Sequence, residues 1–218
     1  HCAAIWYPQP LEEILPEDLD AFYAINQKAS FLIAQKIGLQ MTSQPSGGSI
    51  VLMGDWADAR PYLHHASYFM SKGSIPMLTR VFAVELASRN PNVRVNAVLP
   101  GPVTLPKSLT ETQYQAAVAG TLVHREGSPD DVAEAALGLI QNRFITGTCL
   151  PVDGGRTIYS GGDDYKQVKL ILFRWILQRI DESLASHHRC DFAGVLPEIG
   201  HAGTDGYLYN GGKSILWK

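Results

Sequence analysis

Three side chains in this sequence are placed to pass a proton among themselves. Tyr68 and Lys72 are four residues apart, so on a helix they share one face, where an ammonium beside a phenol oxygen favours the ionised phenol. Asp55 lies thirteen residues before Tyr68, just after the apolar run Ser49-Ile50-Val51-Leu52-Met53, which has the length and composition of a buried strand. A strand end, a loop and a helix start can bring a carboxylate, a phenol and an ammonium together, and that is equipment for acid/base chemistry. Tyr-x-x-x-Lys alone is a common pattern whose usual fate is an exposed helix face, so the elements around it decide its meaning.

Those elements can be read in order. Leu19, Phe22, Tyr23, Ile25, Phe31, Leu32, Ile33 and Ile37 recur at helical spacing behind Pro16, which predicts one long, partly buried helix from Glu17 to about Met41. Asn26 falls in its middle, where asparagine has no propensity advantage; a functional group and a satisfied core amide are both open readings. A second helix carries Tyr68 and Lys72 and runs to about Ser88, although Pro76 inside it should kink it. Val93-Arg94-Val95-Asn96-Ala97-Val98-Leu99 reads as the next strand, and strand, helix, strand in this order make a βαβ unit with a parallel sheet. Ser128-Pro129-Asp130-Asp131 is a helix start with a capping serine, a first-turn proline and acidic residues at the positive end of the helix dipole. That helix should reach about Gln141, with a last strand from Gly147 to Val152 before Asp153-Gly154-Gly155. Between the second and third strands lies a polar insertion from Pro100 to Gly127 with one short helix near Glu111 to Ala119. Loops leaving the carboxyl ends of parallel strands bind ligands, so this insertion is a candidate substrate lid, with a plain surface excursion as the alternative.

Composition narrows the class further. The 218 residues are 45% hydrophobic and 18% charged with a net charge of -3, which suits a globular protein and gives no electrostatic reason to expect nucleic acid or an anionic membrane as partner. Cys2, Cys149 and Cys190 are too scattered for a disulfide framework and point to a reducing, cytoplasmic compartment. The chain opens on His1-Cys2-Ala3-Ala4 without an initiator methionine, so a longer gene product is expected.

Taken together, Asn26, the Asp55 to Tyr68 spacing, Tyr68-x-x-x-Lys72, Val95-Asn96 before Pro100-Gly101-Pro102-Val103-Thr104, and the Gly147 to Gly155 strand resemble the short-chain dehydrogenase/reductase family over residues 1 to about 160. The resemblance implies an α/β, Rossmann-like doubly wound parallel sheet and an NAD(P)-dependent oxidoreductase, with NADP expected and NAD as the alternative. By position, Tyr68 would be the general acid, Lys72 would lower its pKa and bind the nicotinamide ribose, and Asn26 would hold a water linking Lys72 to solvent. Pro100, Gly101, Val103 and Thr104 would line the nicotinamide. Ala3 and Ala4 resemble the Asn-Asn-Ala-Gly segment at the end of the family's fourth strand, also cofactor-lining, with His1 and Cys2 at the usual asparagines. A small-molecule substrate and a homodimer or homotetramer built through the helices carrying Asn26 and Tyr68 are further implications.

Two departures modify the picture. Asp55 stands where the family usually has a serine, and a carboxylate would repel a developing alkoxide. The Asp-Tyr-Lys set is similar to the pteridine reductase branch, which implies reduction of a C=N bond in a pterin or dihydrofolate; a 3-oxoacyl thioester, sugar or secondary alcohol is the alternative. No Gly-x-x-x-Gly-x-Gly occurs in the chain, so the sheet is expected to lack its first βαβ units, and this polypeptide alone is expected to bind nicotinamide weakly. A catalytically silent binding or assembly module is the reading from another class.

Residues 163–218 fall outside the family pattern. Tyr165 to Ala185 reads as a helix apolar on most sides that wants a partner surface, and a membrane-surface helix is the lesser alternative. His187, His188, Cys190 and His201 have no zinc-site spacing, so no metal is expected.

Overall fold

The computed structural model describes residues 1–159, 208–210 and 213–215. The chain divides into one unit from His1 to Gly162 and another from Asp163 to Lys218. In the second, β4 (Leu208–Asn210) and β5 (Lys213–Ile215) pair antiparallel. The predicted 165–185 helix and the histidine cluster lie outside the described residues.

The first unit is built on three parallel strands in the order β1 (Gly48–Met53), β2 (Val93–Pro100), β3 (Cys149–Val152). The α/β Rossmann-like class expected from the sequence is the observed one, as a partial sheet. The middle strand β2 is buried for seven of its eight residues, the pattern of a strand covered on both faces. Its two polar residues are satisfied there. Arg94 donates through Nη1 to Leu139 O at 2.7 Å and through Nη2 to Ile140 O at 2.6 Å, so its charge closes the carbonyl-rich end of α6 (Pro129–Gln141). Asn96 donates to Ile145 O and accepts from Thr148 N, tying β2 to the turn that feeds β3.

The first predicted helix is three consecutive stretches: α1 (Pro16–Phe22), a π-helical stretch from Tyr23 to Lys28, and α2 (Ala29–Thr42). Asn26 sits inside the π stretch and is 1% exposed. The second predicted helix is divided in two, α3 (Ala66–Lys72) and α4 (Ile75–Ala87). The break at Gly73–Ser74 accounts for Pro76, which falls in the first turn of α4, where its missing N–H costs nothing. Leu78, Phe82, Ala83 and Leu86 of α4 pack with Ala34 of α2 on Leu52, Val93, Val95 and Ala97 of the strands, and this is the core. The short helix of the insertion is α5 (Glu111–Ala119), which buries none of its residues.

Candidate active site

Asp55 follows β1 by two residues and begins a short 3₁₀ turn, Trp56–Asp58. Its Oδ1 accepts from Ala57 N at 2.8 Å, which caps the turn and fixes the carboxylate. Oδ2 is left facing α3 and accepts from the Tyr68 hydroxyl at 2.5 Å. That short distance is characteristic of a charge-assisted bond. Tyr68 and Lys72 are each 5% exposed, one turn apart on α3.

The balance of charge differs from the expected ionised phenol. Burial, followed by the charge and the hydrogen bond of Asp55, pushes the Tyr68 pKa strongly up, so the phenol keeps its proton. Burial also pushes Lys72 down, and the Asp55 charge offsets part of that. The ammonium donates to Met53 O at 2.9 Å, at the end of β1. Lys72 therefore joins α3 to the sheet, and Asp55 adds to the burial that keeps the tyrosine protonated.

Asn26 positions this helix. Its Nδ2 donates to Ile5 O at 3.0 Å and to Ser71 Oγ at 3.0 Å, while Oδ1 accepts from Ile5 N at 2.8 Å. Ser71 Oγ in turn donates to Tyr68 O at 2.7 Å. Both amide protons are thus spent clamping the amino-terminal segment to α3. The Asn26 backbone carbonyl accepts from Ser30 Oγ at 2.8 Å. Ala3 and Ala4 lie exposed just before the clamp.

The segment after β2 closes against the turn after β3. Gly101 N donates to Val152 O at 3.0 Å, and a Cβ on Gly101 would come within 2.5 Å of Asp153 Cα, so only glycine permits this approach. Val103 bridges to Gly127, and Thr104 takes a left-handed conformation at φ 51° with an exposed side chain. Pro100 is the last residue of β2.

A cavity of about 580 Å³ opens between these parts. Asp55, Tyr68, Gly101 and Val103 line it, so four of the sequence-selected residues meet at one space. Leu105, Pro106 and Ala117 from the insertion also line it, in keeping with the lid reading, whereas Trp6, Trp56, Arg60, Tyr62 and Arg156 went unread in the sequence. Trp56 was signalled only by its place beside Asp55. Arg60 and Arg156 are ninety-six residues apart and carry no local pattern that pairs them.

Arg156 is set by a tight turn. Buried Asp153 accepts from Gly155 N, Thr157 N and Thr157 Oγ1, and Gly154 and Gly155 adopt φ of 61° and 81°. The Arg156 guanidinium then lies 5.2 Å from the Trp56 ring centroid and donates to Ala117 O at 3.0 Å. It occupies the space that a side chain at Gly120 would fill. Among the described residues no group of three or more potential ligands could hold a metal, and no helix is long and apolar enough to cross a membrane.

A family profile described as enoyl-(acyl carrier protein) reductase matches residues 1–157. The chain belongs to the short-chain dehydrogenase/reductase family. It is 30% identical over 158 residues to glucose 1-dehydrogenase of Gluconobacter oxydans, covering 70% of this chain and 59% of that one. With L-xylulose reductase of Mus musculus it shares 31% over 159 residues, covering 70% and 64%. A crystal structure of a short-chain alcohol dehydrogenase homologue from Sinorhizobium meliloti superposes with a TM-score of 0.66 at 26% identity, covering 72% of this chain and 64% of that one. The chain thus spans about three fifths of the length of these short-chain dehydrogenase/reductase relatives.

Proposed function

We propose that the protein containing this chain is an NAD(P)-dependent oxidoreductase that reduces a polarised double bond in a small molecule, with Tyr68 as proton donor. The observation that carries this reading is the 2.5 Å bond from the Tyr68 hydroxyl to Asp55 at the wall of the cavity. A phenol whose pKa is raised stays protonated, which is the state a reduction consumes. When bound, the reduced nicotinamide supplies a hydride to the acceptor carbon. Tyr68 gives its proton to the adjacent nitrogen or oxygen, and Lys72 and Asn26 hold α3 in place for that transfer. Lys72 uses one of its three N–H groups on Met53 O and has no other partner among the described residues, which leaves donors suited to ribose hydroxyls. Gly101, Val103 and Thr104 would border the nicotinamide and the insertion from Pro100 to Gly127 would act as a lid. NADP is the proposed form of the cofactor.

Asp55 favours a nitrogen-containing acceptor. An ionised carboxylate accepts from ring N–H groups and stabilises a cationic C=N intermediate, whereas it disfavours an alkoxide; a pterin or dihydrofolate has this chemistry. The names of the relatives, including NAD-dependent glycerol dehydrogenase of Listeria innocua at 37% identity over 154 residues, favour a sugar or secondary alcohol instead. Steady-state NADPH oxidation with dihydrobiopterin, dihydrofolate, L-xylulose and an acetoacetyl thioester discriminates between them. Turnover of the carbonyl compounds alone removes the C=N reading, and turnover of none removes the reductase reading.

A further inference from the structure

Two positive charges in the cavity wall have no carboxylate partner among the described residues. Arg60 donates through Nη1 to Arg156 O at 3.2 Å and to Tyr159 O, and Arg156 donates through Nη1 to Ala117 O. These backbone bonds fix both side chains but neutralise neither. The ion pairs among the described residues are Arg89 with Glu85 and Arg125 with Asp131, so no described carboxylate pairs with Arg60 or Arg156. Both arginines are half-buried. Burial and the neighbouring Arg60 charge both push the Arg156 pKa down, as expected of like charges held together without a counterion.

We infer that the acceptor carries a carboxylate and that the Arg60–Arg156 pair binds it in the same cavity where Tyr68 and Asp55 meet the reducible bond. The guanidinium donors not used on backbone carbonyls, Nε and Nη2 of each side chain, have no partner among the described residues, and a planar fork of donors matches a carboxylate. The turn held by Asp153 and the absence of a side chain at Gly120 keep Arg156 in position before any ligand arrives. Because Arg156 also holds Ala117 at the end of α5, a bound carboxylate would tie the insertion to the site. This rests on the oxidoreductase reading only for the word acceptor; the anion site itself is independent of turnover.

Calorimetric titration of the full-length protein with 3-acetylbenzoate and its neutral counterpart 3-acetylbenzamide tests it. The carboxylate should bind about tenfold more tightly than the amide, the scale of one added charge-assisted contact. Arg60→Met and Arg156→Met should each erase that preference, and Arg156→Lys should retain part of it. Gly120→Ala keeps both charges while displacing the Arg156 guanidinium, so it should weaken carboxylate binding even if a methionine variant fails to fold. Equal binding of the two probes by the wild type, or an intact preference in Gly120→Ala and in the folded methionine variants, overturns the inference. So does a change in NADPH affinity without a change in carboxylate preference, which would assign the arginines to a cofactor phosphate. A carboxylate preference without any NADPH oxidation sinks the reductase reading and leaves this site standing; oxidation without the preference does the reverse.

Discussion

At the scale of single residues, the consequence of Asp55 is electrostatic. Its charge and hydrogen bond add to burial in raising the Tyr68 pKa. Since reduction needs the protonated phenol, activity should persist to higher pH than Tyr68 would allow with a neutral neighbour. Asp55→Asn removes the negative charge, so the basic limb of kcat/KM for reduction should move to lower pH; an unmoved limb would show that Asp55 does not govern Tyr68. Tyr68→Phe deletes the donor oxygen and should lower kcat by about a thousandfold, while circular dichroism stays native. Asp55→Ser is the sharper substitution for substrate choice: carbonyl reduction should rise and C=N reduction should fall, as paired rates with the two substrate types would register.

At the scale of elements, capping explains why some boundaries could be read directly and others could not. Ser128 Oγ accepts from Asp131 N at 3.2 Å and Asp131 Oδ2 accepts from Ser128 N at 2.7 Å, the reciprocal pattern visible in Ser128-Pro129-Asp130-Asp131, and α6 begins and ends where the sequence places it. Ser128→Ala should lower stability by about 1 kcal/mol in urea unfolding. Hydrogen bonds from Arg125, then from Ser128, hold the Asp131 pKa well below its usual value. A carboxylate depressed in the folded state contributes stability above its unfolded pKa of about 4 and loses it as pH falls further. The stability gap between wild type and Asp131→Asn should therefore narrow below about pH 4 in the same unfolding experiment. By contrast, the split between α3 and α4 is set by a single N–H that Pro76 lacks, which the sequence signals as a conflict without showing that Gly73 and Ser74 resolve it. The π stretch leaves no residue-type signature at all, because it changes only which carbonyl each N–H reaches. The arginine pair was illegible for another reason, since its two members meet only after the sheet has brought both ends of the unit together.

At the scale of the whole molecule, the helices that position the site also expose apolar surface. Tyr23, Phe31, Leu32, Met77 and Val81 are each 41–59% exposed and line one groove between α2 and α4. We propose that a second copy of the chain covers this face, as the family resemblance suggests. Phe31→Glu with Val81→Glu should shift sedimentation to the monomer; an unchanged distribution would place the interface elsewhere.

The widened turn around Asn26 carries a consequence for length. A π turn holds one more residue than the α turn it replaces, so it tolerates, and indeed requires, a one-residue surplus between Tyr23 and Lys28. Deleting Ala24 would let the ladder close into ordinary α-helix and rotate everything before it by about 100° relative to α2. Asn26 or its replacement could no longer reach both Ile5 and Ser71, and the first five residues would come loose from α3. A shorter chain would thus be the better helix and the worse scaffold, a trade measurable as increased amide exchange at Ile5, whose N–H Asn26 holds, alongside undiminished helical content.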